Sequence, residues 1–107
     1  MIEPNLNYIE QLARGDDSIR QTLIQVIKDE FPDEKKEYFE CLKTKNSEII
    51  ASNVHRIKHK FSILGLETSY NSAVKLEEVL RNNQSNQGLQ EEFENTLAAI
   101  TKYLKTI

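Results

Sequence analysis

The chain has 107 residues, of which 38% are hydrophobic and 29% are charged, with only three glycines and two prolines. These numbers predict a single folded domain over residues 1–107, and they argue against a two-domain enzyme and against a disordered chain. The formal net charge of −3 is small, so net charge alone does not predict a polyanionic partner such as nucleic acid.

The lone cysteine and the distribution of apolar residues bear on where the protein is found. Cys41 has no partner for an intrachain disulfide, and its place in an apolar helical pattern predicts a small buried side chain. No stretch approaches the roughly 18 continuous apolar residues of a membrane span, and the N-terminus lacks the pattern of a signal peptide. We therefore expect a cytoplasmic protein with no membrane partner.

Apolar residues recur at helical spacing almost throughout, and no run has the alternation of a strand, which predicts an all-α fold. The first helix is predicted to be short, starting near Pro4 and ending at Gly15. A capping residue between positions 16 and 18 then begins a second helix, which continues through Pro32 with a kink. The predicted apolar residues of these two helices are Leu6, Ile9, Leu12 or Ala13, and then Ile19, Leu23, Val26, Ile27, Phe31, Tyr38, Cys41 and Leu42.

Three further helices are predicted in the second half of the chain. Asn46 or Ser47 begins the third, Gly65 ends it, and the fourth runs from about Glu67 to Asn82. A polar loop over residues 82–88 leads to a last helix that starts at Leu89. We expect an antiparallel up-down four-helix bundle with a short extra N-terminal helix. The predicted apolar residues are Ile50, Val54, Ile57, Phe61, Leu64, Leu66, Tyr70, Ala73, Val74, Leu76, Val79, Leu80, Leu89, Phe93, Leu97, Ile100, Leu104 and Ile107.

His55 is predicted to point away from the core. On a helical wheel of about 100° per residue, it lies far from the apolar side chains of the third helix. The residues at spacings of three, four and seven from His55, which share its face, are Ala51, Ser52, Lys58, His59 and Ser62. Small neighbours and a lysine are typical of a histidine that is offered to solvent and to a partner protein.

Glu77 interrupts the apolar stripe of the fourth helix at a position where the spacing calls for an apolar side chain. A carboxylate at the edge of a helix interface loses hydration and needs a charged or hydrogen-bonding partner. The ordinary partner is Arg81, four residues later. The alternative partner is the imidazole of His55, whose tautomer the carboxylate would fix, leaving the other ring nitrogen as a nucleophile.

These residues resemble the signature of the histidine-containing phosphotransfer (HPt) domains of multistep two-component signalling. In that family a helix carries a histidine, an apolar residue two positions later, a lysine three positions later, and an apolar residue and a glycine nine and ten positions later. His55, Ile57, Lys58, Leu64 and Gly65 occupy those places. The family often has a Leu-Glu pair on the next helix, matched by Leu76 and Glu77.

The resemblance implies a phosphorelay intermediate without kinase activity. His55 would accept a phosphoryl group from a receiver-domain aspartate, at the outward Nε2, and pass it to another receiver. Lys58 and Glu77 would assist, and Ala51, Ser52, His59 and Ser62 would face the receiver. The implied partners are response-regulator receiver domains and a hybrid sensor histidine kinase. The chain would need no cofactor of its own because the receiver supplies Mg²⁺, and it would act as a monomer.

One departure from the family pattern leaves alternatives open. His59 stands where the family usually has glycine, so it could narrow the range of receivers, donate a hydrogen bond to the phosphoryl group, or mark a degenerate module that binds receivers without phosphotransfer. A metal site on His55 and His59 lacks further ligands, since there is no third histidine and no second cysteine. Nucleic-acid binding through Arg56, Lys58, His59 and Lys60 ranks below the degenerate module and the metal site, because these residues spread around more than half of the helix.

Overall fold

The computed structural model of the chain describes residues 2–107. All regular secondary structure over these residues is α-helical, which confirms the predicted all-α class. The five helices are α1 (Asn7–Ala13), α2 (Asp17–Leu42), α3 (Ser47–Ile63), α4 (Glu67–Arg81) and α5 (Gln87–Leu104). None of the helices in this part of the chain is both long and apolar enough to cross a membrane.

The ends of the first helices follow local chemistry. Arg14 takes a left-handed conformation with φ 50°, Gly15 follows with φ 83°, and α1 ends there. The Asp16 side chain accepts a hydrogen bond from the Ile19 backbone N–H, at 3.2 Å, and so caps α2. Helix α2 is continuous through Pro32, as predicted. Its 26 residues, at about 1.5 Å each, account for most of the 44 Å long axis of the molecule.

Helices α3 and α5 begin at asparagine caps. Asn46 Oδ1 accepts from the backbone N–H groups of Glu48 and Ile49 at the start of α3. Asn86 Oδ1 accepts from Leu89 N–H, so α5 begins at Gln87, two residues before the predicted position. The cap explains this difference, because it places Gln87 and Gly88 inside the first turn of α5. The sequence had assigned these two residues to the preceding polar loop.

Helix α3 lies between α2 and α4, while α4 also packs on α5, α5 on α2, and α1 on α2. The shared core is made of the apolar side chains of all five helices, the largest of which are fully buried. These large buried residues are Ile9, Phe31, Tyr38, Val54, Ile57, Phe61, Leu64, Leu76, Phe93, Leu97 and Ile100. Because α3 has neighbours on two sides, its buried face is broader than a single apolar stripe.

Some predicted core positions are exposed. Ile19 and Val26 were predicted to be buried and instead face solvent, and of the alternatives Leu12 and Ala13 it is Ala13 that is buried. On α2 the buried residues include the predicted Ile27, Phe31 and Tyr38, together with Ile24, which was not predicted. The apolar pattern of α2 extends over more than one face, and packing against α3 and α5 decides which edge of it is buried.

Cys41 is also less buried than predicted. Its thiol is free and half-buried, and Asn53 Nδ2 donates a hydrogen bond to Sγ at 3.2 Å. Asn53 itself is buried at the α2–α3 interface. The apolar surroundings predicted for Cys41 therefore include one polar partner.

Candidate functional site

His55 and Glu77 meet across the interface between α3 and α4. His55 lies near the middle of α3 and Glu77 in the second half of α4, and the tight connection over residues 64–66 brings the two helices side by side. The His55 side chain is 52% exposed, whereas that of Glu77 is only 12% exposed. The wheel therefore predicted the outward direction of His55, and the broken apolar stripe of α4 predicted the half-hidden carboxylate.

The hydrogen bond between them fixes the state of the imidazole ring. His55 Nδ1 lies 3.1 Å from Glu77 Oε2 and 3.3 Å from Oε1. An ionised carboxylate only accepts hydrogen bonds, so Nδ1 carries the proton and donates it to Glu77. In neutral imidazole the lone pair then resides on Nε2, on the far side of the ring. The half-exposed His55 thus presents a nucleophilic nitrogen away from the protein.

Glu77 has two further donors, which explains why it is stable at this depth. Lys58 Nζ donates to Oε1 at 2.7 Å, and Arg81 Nε donates to Oε2 at 3.0 Å. Burial on its own would raise the pKa of Glu77, but hydrogen bonds from Lys58, Arg81 and His55 outweigh it and hold the pKa below its ordinary value. Both partners considered for Glu77 are present, and the carboxylate is ionised at neutral pH.

Lys58 occupies a different position from the predicted one. It was expected on the exposed face beside His55, but its side chain is only 11% exposed and its ammonium group points toward Glu77. The ammonium nitrogen also lies 5.8 Å from the centre of the Tyr70 ring. Helix α4 packs closely on this side of α3, and the buried carboxylate attracts the cation. Lys58 therefore supports the group that orients His55.

The residues predicted to face a receiver divide into two groups. Ser52, His59 and Ser62 are exposed, as the wheel predicts. Ala51 is 0% exposed, so its assignment to the outer face is wrong, because the buried side of α3 is wide enough to include it. His59 lies next to His55, with the ring centres 5.3 Å apart and the planes nearly perpendicular at 89°.

The basic cluster around His55 is largely neutralised within the protein. Arg56 Nη2 donates to Glu37 of α2, and Lys60 Nζ lies 2.9 Å from Glu30 Oε1 and 3.4 Å from Glu34 Oε1. Arg56 and Lys60 therefore belong to the α2–α3 interface. Their charges are paired with glutamates of α2 and do not form a free basic surface around His55.

Two contributors to the site had not been identified from the sequence. Arg81 Nη1 donates to Glu48 Oε2 at 3.1 Å, which joins the start of α3 to the end of α4 around Glu77. Tyr8 and Gln11 of α1 border a surface depression together with Ser62. The spacing of four residues pointed to the pairing of Arg81 with Glu77 but not with Glu48, and nothing in the sequence of α1 places it beside α3.

No group of three or more histidine, cysteine, aspartate or glutamate side chains with metal-binding geometry occurs within residues 2–107. Comparisons with protein-family models, with curated proteins and with solved structures gave no match to this chain.

Proposed function

We propose that this protein is a phosphorelay intermediate of the HPt type, in which His55 accepts a phosphoryl group from the aspartyl phosphate of a receiver domain and passes it to a second receiver. One observation carries the proposal. A half-exposed imidazole is held through Nδ1 by a nearly buried carboxylate that is itself held by Lys58 and Arg81. This arrangement leaves Nε2 as the nucleophile.

The proposed transfer is a single displacement at phosphorus. The Nε2 lone pair forms the P–N bond while the P–O bond to the receiver aspartate breaks, and the aspartate leaves as a carboxylate. Positive charge develops on the imidazole as the P–N bond forms, and it develops next to ionised Glu77, which is already in place to stabilise it. Transfer to the second receiver is the reverse displacement. The receiver supplies Mg²⁺, so this chain acts as a carrier without kinase activity.

The surface around His55 supports the docking of another protein. His59 and Ser62 extend the exposed face of α3, and Ser62 adjoins Tyr8 of α1. Tyr8 and Leu12 are both large, apolar and exposed on that short helix. Their spacing of four residues places both on one face of α1, and an exposed apolar patch of this kind is typical of an interaction site. The antiparallel up-down bundle expected from the sequence is part of this proposal, as are receiver domains and a hybrid sensor kinase as partners.

His59 favours a second candidate function, a degenerate module that binds receivers without phosphotransfer. Its imidazole stands edge-on to the His55 ring, where the family pattern has a glycine without a side chain. A receiver must approach over this ring. In the phosphorelay function, the same ring is instead a hydrogen-bond donor to the phosphoryl group on Nε2, or a residue that restricts the choice of receiver.

The test is incubation with a receiver domain that carries ³²P on its aspartate, in the presence of Mg²⁺. We expect acid-labile, base-stable label on the wild-type protein and on His59→Gln, and none on His55→Gln. Circular dichroism controls for folding, which the exposed position of both histidines should preserve. A panel of labelled receivers that binds the wild type but transfers no label to it would favour the degenerate module.

A further inference from the structure

A second surface feature lies between α2 and α5, two helices that contribute neither His55 nor Glu77. It is an open groove of about 440 Å³. Its apolar floor is formed by Phe31, Pro32, Phe39 and Leu104. Its rims carry the lysines at positions 28, 35, 36 and 105 together with Thr101, and no carboxylate lines it.

Helical spacing explains how the groove arises. The α2 lining residues occur at positions 28, 31, 32, 35, 36 and 39, and those of α5 at 101, 104 and 105. Spacings of three and four place each set on one face of its helix. These two faces meet at the α2–α5 contact. Phe31 and Leu104 belong to the core, but the next apolar side chain outward, Phe39, is 38% exposed. The groove is therefore a continuation of the core with no protein covering it.

The charges of the rim are not balanced by aspartate or glutamate side chains. Lys28 Nζ donates to the main-chain oxygen of Ile107 and Lys35 Nζ to the hydroxyl of Thr101, each through a hydrogen bond across the α2–α5 interface. Over residues 2–107, no ion pair with an aspartate or glutamate side chain involves the four rim lysines, although the chain as a whole is acidic. Like charges held around one cleft repel each other, and an anion bound there relieves the repulsion.

From this combination we infer that the α2–α5 groove binds a single-chain anionic amphiphile, such as a long-chain carboxylate. The apolar chain lies on Phe31, Pro32, Phe39 and Leu104, and the anionic head lies among the lysines. Removing the chain from water supplies the free energy, and the lysines supply the preference for an anion over a cation.

The size and shape of the groove favour a small amphiphile over a partner protein. Its volume falls within the range of about 300–1,000 Å³ found for small-molecule sites. Its floor has only four apolar side chains, whereas a stable protein interface covers about 800 Å² per partner. Four cations around so small a floor attract an anionic head group.

The test uses the ¹⁵N-labelled chain of residues 1–107 and sodium dodecanoate, kept below the concentration at which it forms micelles. We expect saturable amide shifts that concentrate on residues 28–39 of α2 and 101–105 of α5. Dodecyltrimethylammonium, which has the same chain and the opposite charge, and acetate, which has the head without the chain, should both bind at least about tenfold more weakly. Equal binding of the cationic amphiphile would overturn the proposal.

Charge reversal provides the matched variants. Lys105→Glu should weaken dodecanoate binding by about tenfold or more. Lys102→Glu should change it little, because Lys102 lies on the same last part of α5 and does not line the groove. Phe39→Asp tests the floor separately. The assignment to a small amphiphile would be contradicted by an equal loss of dodecanoate affinity in the two lysine variants or by unchanged affinity in Lys105→Glu. It would also be contradicted if an acidic amphipathic peptide bound more tightly than dodecanoate at the same residues.

Discussion

At the scale of single residues, Glu77 holds the site together, because one nearly buried carboxylate accepts hydrogen bonds from three donors at once. His55, Lys58 and Arg81 all donate to it. With a neutral imidazole, the two cations and the two carboxylates Glu77 and Glu48 balance in charge. The cations keep Glu77 ionised, and ionised Glu77 keeps the Nδ1 proton in place. Lys58 and Arg81 therefore act on His55 through Glu77.

Glu77→Gln is expected to slow phosphotransfer to His55 while leaving the nucleophile present. The amide carries no charge to stabilise the developing imidazolium, and it does not select one tautomer as strongly. Loss of a carboxylate that orients a metal-bound histidine costs about 10–100-fold in affinity or activity, and we expect a similar decrease in rate here.

The measurement is the transfer rate from a phosphorylated receiver, together with the ¹⁵N shifts of the His55 ring, which report the tautomer directly. Glu78→Gln is the matched control, because Glu78 is the neighbouring exposed glutamate of α4 and its side chain makes no hydrogen bond in the structure. Equal rates in the two variants, or an unchanged tautomer in Glu77→Gln, would leave Glu77 with a purely structural role.

The lowered pKa of Glu77 predicts how stability depends on pH. Since the pKa in the folded state lies below that in the unfolded state, the contribution of Glu77 is fully present above the ordinary glutamate pKa of about 4.3, and it is lost as the pH falls through the lower folded-state value. We expect the difference in unfolding free energy between wild type and Glu77→Gln to be constant near neutral pH and to shrink below about pH 4.3. Urea denaturation at a series of pH values measures it, and a difference that is the same at every pH would contradict the assignment.

The sequence carried enough information to identify His55 and Glu77, but not the direction of Lys58 or the burial of Ala51. A polar residue within an apolar stripe marks a buried partner, and this signal correctly singled out Glu77. A helical wheel gives the angle of each residue but not the width of the buried face, which depends on how many neighbours the helix has. Since α3 packs on two helices, Ala51 and Lys58 fall inside that face.

At the scale of secondary-structure elements, the turn between α3 and α4 aligns the site. Gly65 has a φ of 77°, and Leu66 N–H donates to the Phe61 carbonyl across it, a bond typical of a glycine-terminated helix. The N-terminal segment also closes over this turn, because Asn5 N–H donates to the Leu64 carbonyl at 2.9 Å. The turn thus fixes α3 against α4 and carries the segment that leads into α1.

Gly65→Ala should destabilise the fold by about 1–2 kcal/mol from the left-handed backbone alone. An added Cβ would also collide with the side-chain amide of Asn5, which would have to turn away. Gly88→Ala is the matched control: Gly88 lies in the first turn of α5, and its nearest neighbour would be 3.4 Å away. We expect that control to be neutral or to stabilise by about 0.5–1 kcal/mol. Thermal unfolding compares the two, and equal midpoints would contradict this role of the turn.

The helices themselves were largely predictable, because caps, glycines and helical periodicity are local signals. Asn46 and Gly65 lie at the predicted ends of α3. The edges of the buried face of α2 were not predictable, since its pattern contains apolar residues on more than one face. The exposed Val26 and the buried Ile24 show that packing against other helices, which a local pattern does not contain, decided between these faces.

At the scale of the whole molecule, the interfaces between different pairs of helices contain different features. The α2–α3 interface holds ion pairs of Arg56 and Lys60 with glutamates of α2, and these stabilise the packing of the helix that carries the histidine. The α3–α4 interface holds His55 and its carboxylate. The α2–α5 interface opens into the lysine-rimmed groove. The proposed phosphotransfer site and the proposed amphiphile groove therefore lie on separate surfaces of the molecule.

The proposal that Nε2 of His55 accepts the phosphoryl group is tested most directly by identifying the atom to which phosphorus is bonded. After transfer from a phosphorylated receiver to ¹⁵N-histidine-labelled protein, coupling between ³¹P and ¹⁵N identifies the bonded ring nitrogen. The account predicts one phosphohistidine, with phosphorus on Nε2 of His55 and Nδ1 still directed at Glu77. Phosphorus found on His59 or on Nδ1 of His55 would contradict it. So would the absence of phosphohistidine after incubation with every receiver that binds the protein.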